Sequence, residues 1–130
     1  NITYSVGLKA ALRQDPDIIM IGEIRDEETA RNVFRAALTG HTVISTMHTK
    51  DKYGVIERLI DFGFLPSEIT SVLIGVSNQR LVIDNNGRTK AFYDYTLSDE
   101  LPQMMQNKGD LSSIEDKLDK LRANDKISPK

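Results

Sequence analysis

Two side chains in this sequence stand where they could act on a bound phosphate. Glu23 follows Gly22 directly after the apolar run Ile18-Ile19-Met20-Ile21, which Asp15-Pro16-Asp17 precedes and Arg25-Asp26 follows. His48 follows the run Thr42 to Met47, which carries Val43 and Ile44. A short unbroken run rich in β-branched residues predicts a strand buried on both faces, of the kind found in parallel sheets between helices. Ligands of open α/β sheets bind beyond the carboxyl ends of their strands. A glutamate leaving such an end can polarise a water for attack on a phosphoryl group. A histidine there can donate a hydrogen bond to the terminal phosphate, with a protonation state tunable near neutral pH. The plainer alternatives are a surface glutamate at a strand end and a satisfied structural imidazole. His41 precedes the second run and is expected to brace the turn after Gly40. The two histidines, at opposite ends of one strand, diverge too far to share a metal.

The elements that must position these groups follow from the pattern. Asn1 to Ser5 is expected to be an extended lead-in and Val6 to Gln14 a short helix stopped by Asp15-Pro16, because a residue before proline avoids the helical region. Asp26 to Leu38 predicts the clearest helix. Ala30, Val33, Phe34, Ala37 and Leu38 fall along one side, Asp26 is an N-cap, Glu27 and Glu28 suit the positive end of the dipole, and Gly40 stops it. Strand, helix, strand is then a βαβ unit with a parallel crossover. Asp51 or Lys52 through Phe62 predicts a helix with Val55, Ile56, Leu59 and Ile60 inward and Gly63 as its stop. Pro66 opens another helix with a stripe of Ile69, Val72, Leu73 and Val76. A strand is expected to begin at Arg80 to Val82, to turn through Asp84-Asn85-Asn86-Gly87 and to return over Lys90 to Thr96. Pro102 to Asn107 predicts a short helix broken by Gly109. Ser112-Ser113-Ile114-Glu115 forms a capping box for a tail helix with the stripe Leu111, Ile114, Leu118 and Leu121, and Asn124 to Lys130 is expected to fray.

Composition narrows the class. The chain of 130 residues has 39% hydrophobic and 28% charged residues, enough for one modest domain. No run of about 18 apolar residues would form a membrane helix, and no signal peptide is visible. The absence of cysteine removes disulfides and thiolate zinc sites and fits a reducing cytoplasm. A net charge of −2 without a Lys/Arg cluster argues against direct nucleic-acid binding. The chain begins at Asn1 within an expected element and is read as a piece of a longer protein.

Together, Asp15-Pro16-Asp17-Ile18-Ile19-Met20-Ile21-Gly22-Glu23-Ile24-Arg25-Asp26 and Gly40-His41-Thr42-Val43-Ile44-Ser45-Thr46-Met47-His48-Thr49 resemble the Walker B and histidine boxes of the type II/IV secretion ATPases. These are the hexameric motors of type II secretion, type IV pili and DNA-uptake competence. The resemblance runs from about Val6 to Val82. It implies an α/β fold, the C-terminal part of a RecA-like P-loop ATPase domain, with residues 1–82 completing the ATPase core and 83–130 forming a C-terminal hairpin and helical tail. It further implies ATP and Mg2+ as cofactors, Glu23 and His48 as catalytic residues, and Gly22, Glu23 and His48 as nucleotide-binding residues. Gly22 replaces the aspartate common in other Walker B boxes, so Glu23 would serve both metal and water. Arg25, His41 and Arg80 are the structural or subunit-contact residues. Arg25 is expected to pair with Asp26 or Glu28, with a neighbouring subunit as the alternative; Arg80, in Gln79-Arg80-Leu81, is expected in an ion pair or as a helix C-cap.

The same resemblance implies a homo-oligomer, a hexamer in the intact protein, working at the cytoplasmic face of the membrane with an inner-membrane platform protein. Two departures matter. No Gly-x-x-x-x-Gly-Lys-Ser/Thr occurs, so the phosphate cradle is missing and this piece alone is expected to be inactive. Many members carry a four-cysteine zinc insertion after the position of Val82; Ile83 to Arg88 leaves room only for a tight turn and no zinc, as in the competence branch of Gram-positive bacteria. Missing sheet strands would leave an apolar edge, so the isolated piece is expected to dimerise or aggregate. The rival reading is a non-catalytic adaptor or regulatory module that keeps the fold without the chemistry.

Overall fold

The computed structural model describes residues 4–106, 114–124 and 127. It divides into two compact units, one of residues 1–49 and 57–72 and the other of residues 50–56 and 73–130. The division expected at residue 82 falls inside a strand, β3 (Gly75–Ile83).

The first unit is built on the predicted βαβ crossover. β1 (Ile18–Ile21) and β2 (Thr42–Ser45) pair in parallel, with Ile18 opposite Thr42 and Ile21 opposite Ser45. α2 (Glu27–Leu38) joins them and packs on α1 (Tyr4–Leu12), β2 and α4 (Pro66–Val72). The Asp26 carboxylate accepts the Thr29 backbone N–H at 2.8 Å, as an N-cap should. This bond, with one from the Thr29 hydroxyl, holds the carboxyl below its usual range. At the other end Gly40 N–H donates to Ala37 O and His41 N–H to Ala36 O, with Gly40 at φ +95. That conformation is open to glycine and costly for residues with a Cβ. α3 (Lys52–Asp61) ends the same way at Gly63, which turns the chain so that Phe64 lands 4.0 Å from Phe34, ring centre to ring centre.

Three expectations need correction here. Tyr4 and Ser5 belong to α1 rather than to an extended lead-in, since the helical run starts before Val6. Leu73 and Val76 lie outside α4, which ends at Val72; Gly75 breaks a spacing that otherwise imitates a helix, and Val76 is buried from β3 instead. β1 is not buried on both faces. Ile19 and Ile21 are covered, whereas Ile18 and Met20 are 59% and 74% exposed, because in this chain helices cover one face of the two-stranded sheet.

The second unit is organised on an antiparallel hairpin, β3 and β4 (Thr89–Leu97), in register from Gly75 opposite Leu97 to Ile83 opposite Thr89. The predicted Asn-Gly turn is present with Gly87 at φ +75. Asp84 caps it by accepting the backbone N–H groups of Asn86 and Arg88, each at 2.9 Å. One sheet face buries Val76, Asp94 and Thr96. Ile114 and Leu118 of α6 (Ile114–Ala123), together with Ile127, cluster with Val82, Phe92 and Leu121. Ile127 is thus buried within the stretch expected to fray. α5 (Leu101–Gln106) buries Leu101 and Met104. The predicted helix breaker Gly109, the capping serines Ser112 and Ser113, and Leu111 of the tail stripe lie outside the described residues.

Candidate active site

The site lies at the carboxyl edge of the parallel pair in the first unit. Beyond the last registered pair, Ile24 N–H donates to Thr46 O at 2.8 Å and Thr46 Oγ1 donates to Gly22 O at 2.6 Å. These bonds carry the pairing past Ser45 and hold the Gly22–Ile24 segment beside the segment that leads to His48. Parallel strands place both carboxyl ends on one rim, and the side chains meet there. Glu23 Oε1 stands 3.1 Å from His48 Nε2, and Glu23 Oε2 is 2.5 Å from Arg25 Nε. The Glu23 side chain is 20% exposed and that of His48 is 90% exposed. Ion pairs open to water contribute about 0–1 kcal/mol, so these contacts orient the carboxylate more than they stabilise the fold.

Arg25 therefore pairs with Glu23, not with Asp26 or Glu28. The Asp26 carboxylate is occupied in capping α2, and Arg25 stands two residues beyond Glu23 in the segment that enters the cap. Its backbone is held as well: Arg58 Nη2 donates to Arg25 O at 3.2 Å, and the Arg58 guanidinium lies 5.5 Å from the Phe62 ring centre. Sequence reasoning missed Arg58 and Thr46. The only signal for Arg58 was the i, i+4 spacing to Phe62 on α3; for Thr46 it was a hydroxyl two residues before His48.

The remaining expected residues lie elsewhere. His41 is at the amino end of β2, with Nδ1 3.1 Å from Thr39 Oγ1 and 3.3 Å from Ala36 O, against the end of α2. Arg80 belongs to the second unit, where Nη2 donates to Lys50 O at 2.7 Å. The helix C-cap alternative for Arg80 fails because α4 ends at Val72 and Arg80 lies within β3.

Among the described residues no group of three or more His, Cys, Asp or Glu side chains converges as a metal cage. A single carboxylate suits Mg2+, which keeps much of its water and takes one or two carboxylates plus substrate phosphates. Space beside it is open: a Cβ built on Gly22 meets nothing within 4 Å. The residues present thus fit the water-facing side of a magnesium–phosphate group, and no glycine-rich phosphate cradle accompanies them in the sequence.

A βαβ crossover with an acid and a histidine on its carboxyl rim, followed by a hairpin and helices, is the α/β architecture of a RecA-like ATPase domain. The pilus retraction motor PilT, solved with bound ADP, superposes with a TM-score of 0.78 at 28% identity, over 98% of this chain and 41% of that one. The family model for type II/IV secretion system proteins matches residues 1–121, and the chain belongs to that family. It is 54% identical over 81 residues to the competence protein ComGA of Bacillus subtilis, covering 62% of this chain and 23% of that protein. It is 52% identical over 82 residues to the type II secretion system protein E of Pseudomonas aeruginosa, covering 63% of this chain and 16% of that protein. The chain thus spans less than a quarter of the length of these curated relatives. No helix among the described residues is long and apolar enough to cross a membrane.

Proposed function

We propose that this chain supplies the water-activating part of an ATP-hydrolysing secretion motor. The observation that carries the reading is the meeting of Glu23 and His48, from the ends of two adjacent parallel strands, at 3.1 Å. Bound Mg2+ and ATP would supply the electrophilic phosphorus and neutralise its charge. Glu23 would hold the attacking water by accepting its hydrogen, directly or through the magnesium hydration shell, and Arg25, 2.5 Å from Oε2, aims the carboxylate. His48 donates from Nε2, to Glu23 when no terminal phosphate is near and to a phosphate oxygen when one is. That exchange frees Oε1 for water only when ATP is present. Gly22 leaves the approach open.

The phosphate cradle would come from a longer protein that contains this chain. The exposed Ile18, Met20 and Ile44 on the uncovered face of β1 and β2 support that assignment, since further strands and helices of a larger domain would cover them. As the motif resemblance implies, the intact protein would work as a homo-oligomeric ring at the cytoplasmic side of the membrane. There it would act with a membrane platform protein to drive pilus or pseudopilus assembly for DNA uptake or protein secretion. The tight Asp84–Arg88 loop favours the competence branch.

His48→Ala in the full-length protein tests this. Hydrolysis should slow by about tenfold or more while ADP affinity stays within about twofold, since the contact is to a phosphate that ADP lacks. Equal weakening of ADP and ATP binding would give His48 a purely structural role.

A further inference from the structure

Glu23 and His48 both stand past the ends of their strands. β1 ends at Ile21 and β2 at Ser45, so the registered ladder stops short of the carboxylate and of the imidazole. Beyond a ladder, a side chain is placed by the hydrogen bonds that hold its own stretch of backbone. On either side of Glu23 that backbone is held by a side chain from elsewhere in the first unit. The Thr46 hydroxyl donates to Gly22 O at 2.6 Å, and Arg58 Nη2 donates to Arg25 O at 3.2 Å. Between them Ile24 is buried, and its N–H donates to Thr46 O at 2.8 Å.

The two side chains tie Glu23 to different parts of the unit. Thr46 belongs to the segment that runs on to His48. Through its hydroxyl and its carbonyl it joins that segment to both neighbours of Glu23. Arg58 reaches in from α3. Its guanidinium lies 5.5 Å from the Phe62 ring centre, and its Nε is buried with no hydrogen-bond partner among the described residues. The ring contact and the bond to Arg25 O therefore orient it. Arg25 in turn sets its own Nε 2.5 Å from Glu23 Oε2, so Arg58 holds the backbone from which that guanidinium reaches. We propose that Thr46 and Arg58 are positioning residues for Glu23, Thr46 fixing it relative to His48 and Arg58 fixing the segment from which Arg25 meets it. The inference rests on Glu23 and His48 being the working pair. Both bonds lie in exposed surroundings and contribute little to stability. A catalytic group misplaced by about 1 Å can cost about a hundredfold in rate, so losing either bond should show in turnover before it shows in folding.

Thr46→Val removes the hydroxyl and keeps the β-branched shape, Thr46→Ser keeps the hydroxyl, and Arg58→Met keeps an unbranched stem beside Phe62 without the donor. In the full-length protein, Thr46→Val and Arg58→Met should each lower ATP turnover by about tenfold or more with KM within about twofold. Thr46→Ser should return most of the loss. NMR of the 130-residue chain supplies a readout that a general loosening would fail. The chain has two histidines, whose ring proton signals can be assigned with His48→Ala. Glu23→Gln should move the His48 signals and leave those of His41 in place. In Thr46→Val that displacement should shrink with His41 still unmoved, and in Thr46→Ser it should be kept. Movement of His41 in Thr46→Val would mean loosening of the whole unit and overturn the proposal for Thr46. Should Thr46→Val fail to fold, Arg58→Met carries the test alone. Full turnover in the folded Thr46→Val and Arg58→Met proteins, with Glu23→Gln inactive, overturns the proposal while sparing the Glu23–His48 reading. Full turnover in Glu23→Gln removes both.

Discussion

Replacing Gly40 by alanine isolates one backbone conformation on which the site depends. Gly40 ends α2 at φ +95, its N–H donating to Ala37 O at 3.0 Å and that of His41 to Ala36 O at 3.3 Å, and β2 begins two residues later. A Cβ built there meets nothing within 4 Å, so no steric contact complicates the outcome. The expected loss is the cost of forcing a side-chain-bearing residue into the left-handed region, about 1–2 kcal/mol. With a urea dependence of about 2 kcal/mol per molar, the midpoint of the transition reporting on the first unit should drop by about 0.5–1 M. Gly40→Asn should lose less, because asparagine visits that region more readily. Gly22→Ala is the control, with equal free space and no positive φ; it should change stability by no more than about 0.5 kcal/mol. An unchanged midpoint for Gly40→Ala, or an equal loss for Gly22→Ala, would show that the left-handed conformation at Gly40 does not limit the stability of the first unit.

Acid should find two specific carboxylates. Thr29 holds Asp26, and Lys90 with the Arg88 and Asn86 N–H groups holds Asp84, below the ordinary value of 3.8. A depressed folded value means that the stabilisation is complete above the unfolded value of about 3.9 and drains away as pH falls through the folded one. Urea midpoints should therefore be insensitive to these groups from neutrality to about pH 5 and decline below about pH 4. Asp26→Asn and Asp84→Asn should each flatten that decline, and identical acid slopes in all three proteins would count against the assignment. The 130-residue chain alone should show no ATP turnover, because it encodes no glycine-rich phosphate loop or its lysine. Turnover by purified chain that disappears in Glu23→Gln would contradict this.

The parts of the fold that were legible are those governed by local chemistry. Asp26 as a cap, Gly40 and Gly63 as stops, Pro66 as a helix start and the Asn-Gly turn each depend on a few adjacent residues, and all appear where the pattern put them. The apolar runs also showed that Glu23 and His48 would stand at the carboxyl ends of parallel strands. What was hidden depends on residues far apart in sequence. The spacing of Ile69, Val72, Leu73 and Val76 suits a helix, yet pairing of Gly75 and Val76 with Leu97 and Thr96 claims the last of them for a strand. The choice of Glu23 over Asp26 as the partner of Arg25 followed from the cap already occupying Asp26. Arg80 found Lys50 thirty residues away, which no local pattern encodes. The exposure of Ile18 and Met20 could not be read from an apolar run, since the run does not say which of its faces the rest of this chain covers.

In the proposed function Glu23 orients the attacking water. The direct measurement is ATP turnover by the full-length protein carrying Glu23→Gln, with nucleotide affinity measured on the same preparation. The amide keeps the size and hydrogen-bonding capacity of the carboxylate and removes its charge. Turnover should fall by about tenfold to a thousandfold with ATP affinity nearly unchanged; turnover equal to that of the unaltered protein would remove Glu23 from the mechanism.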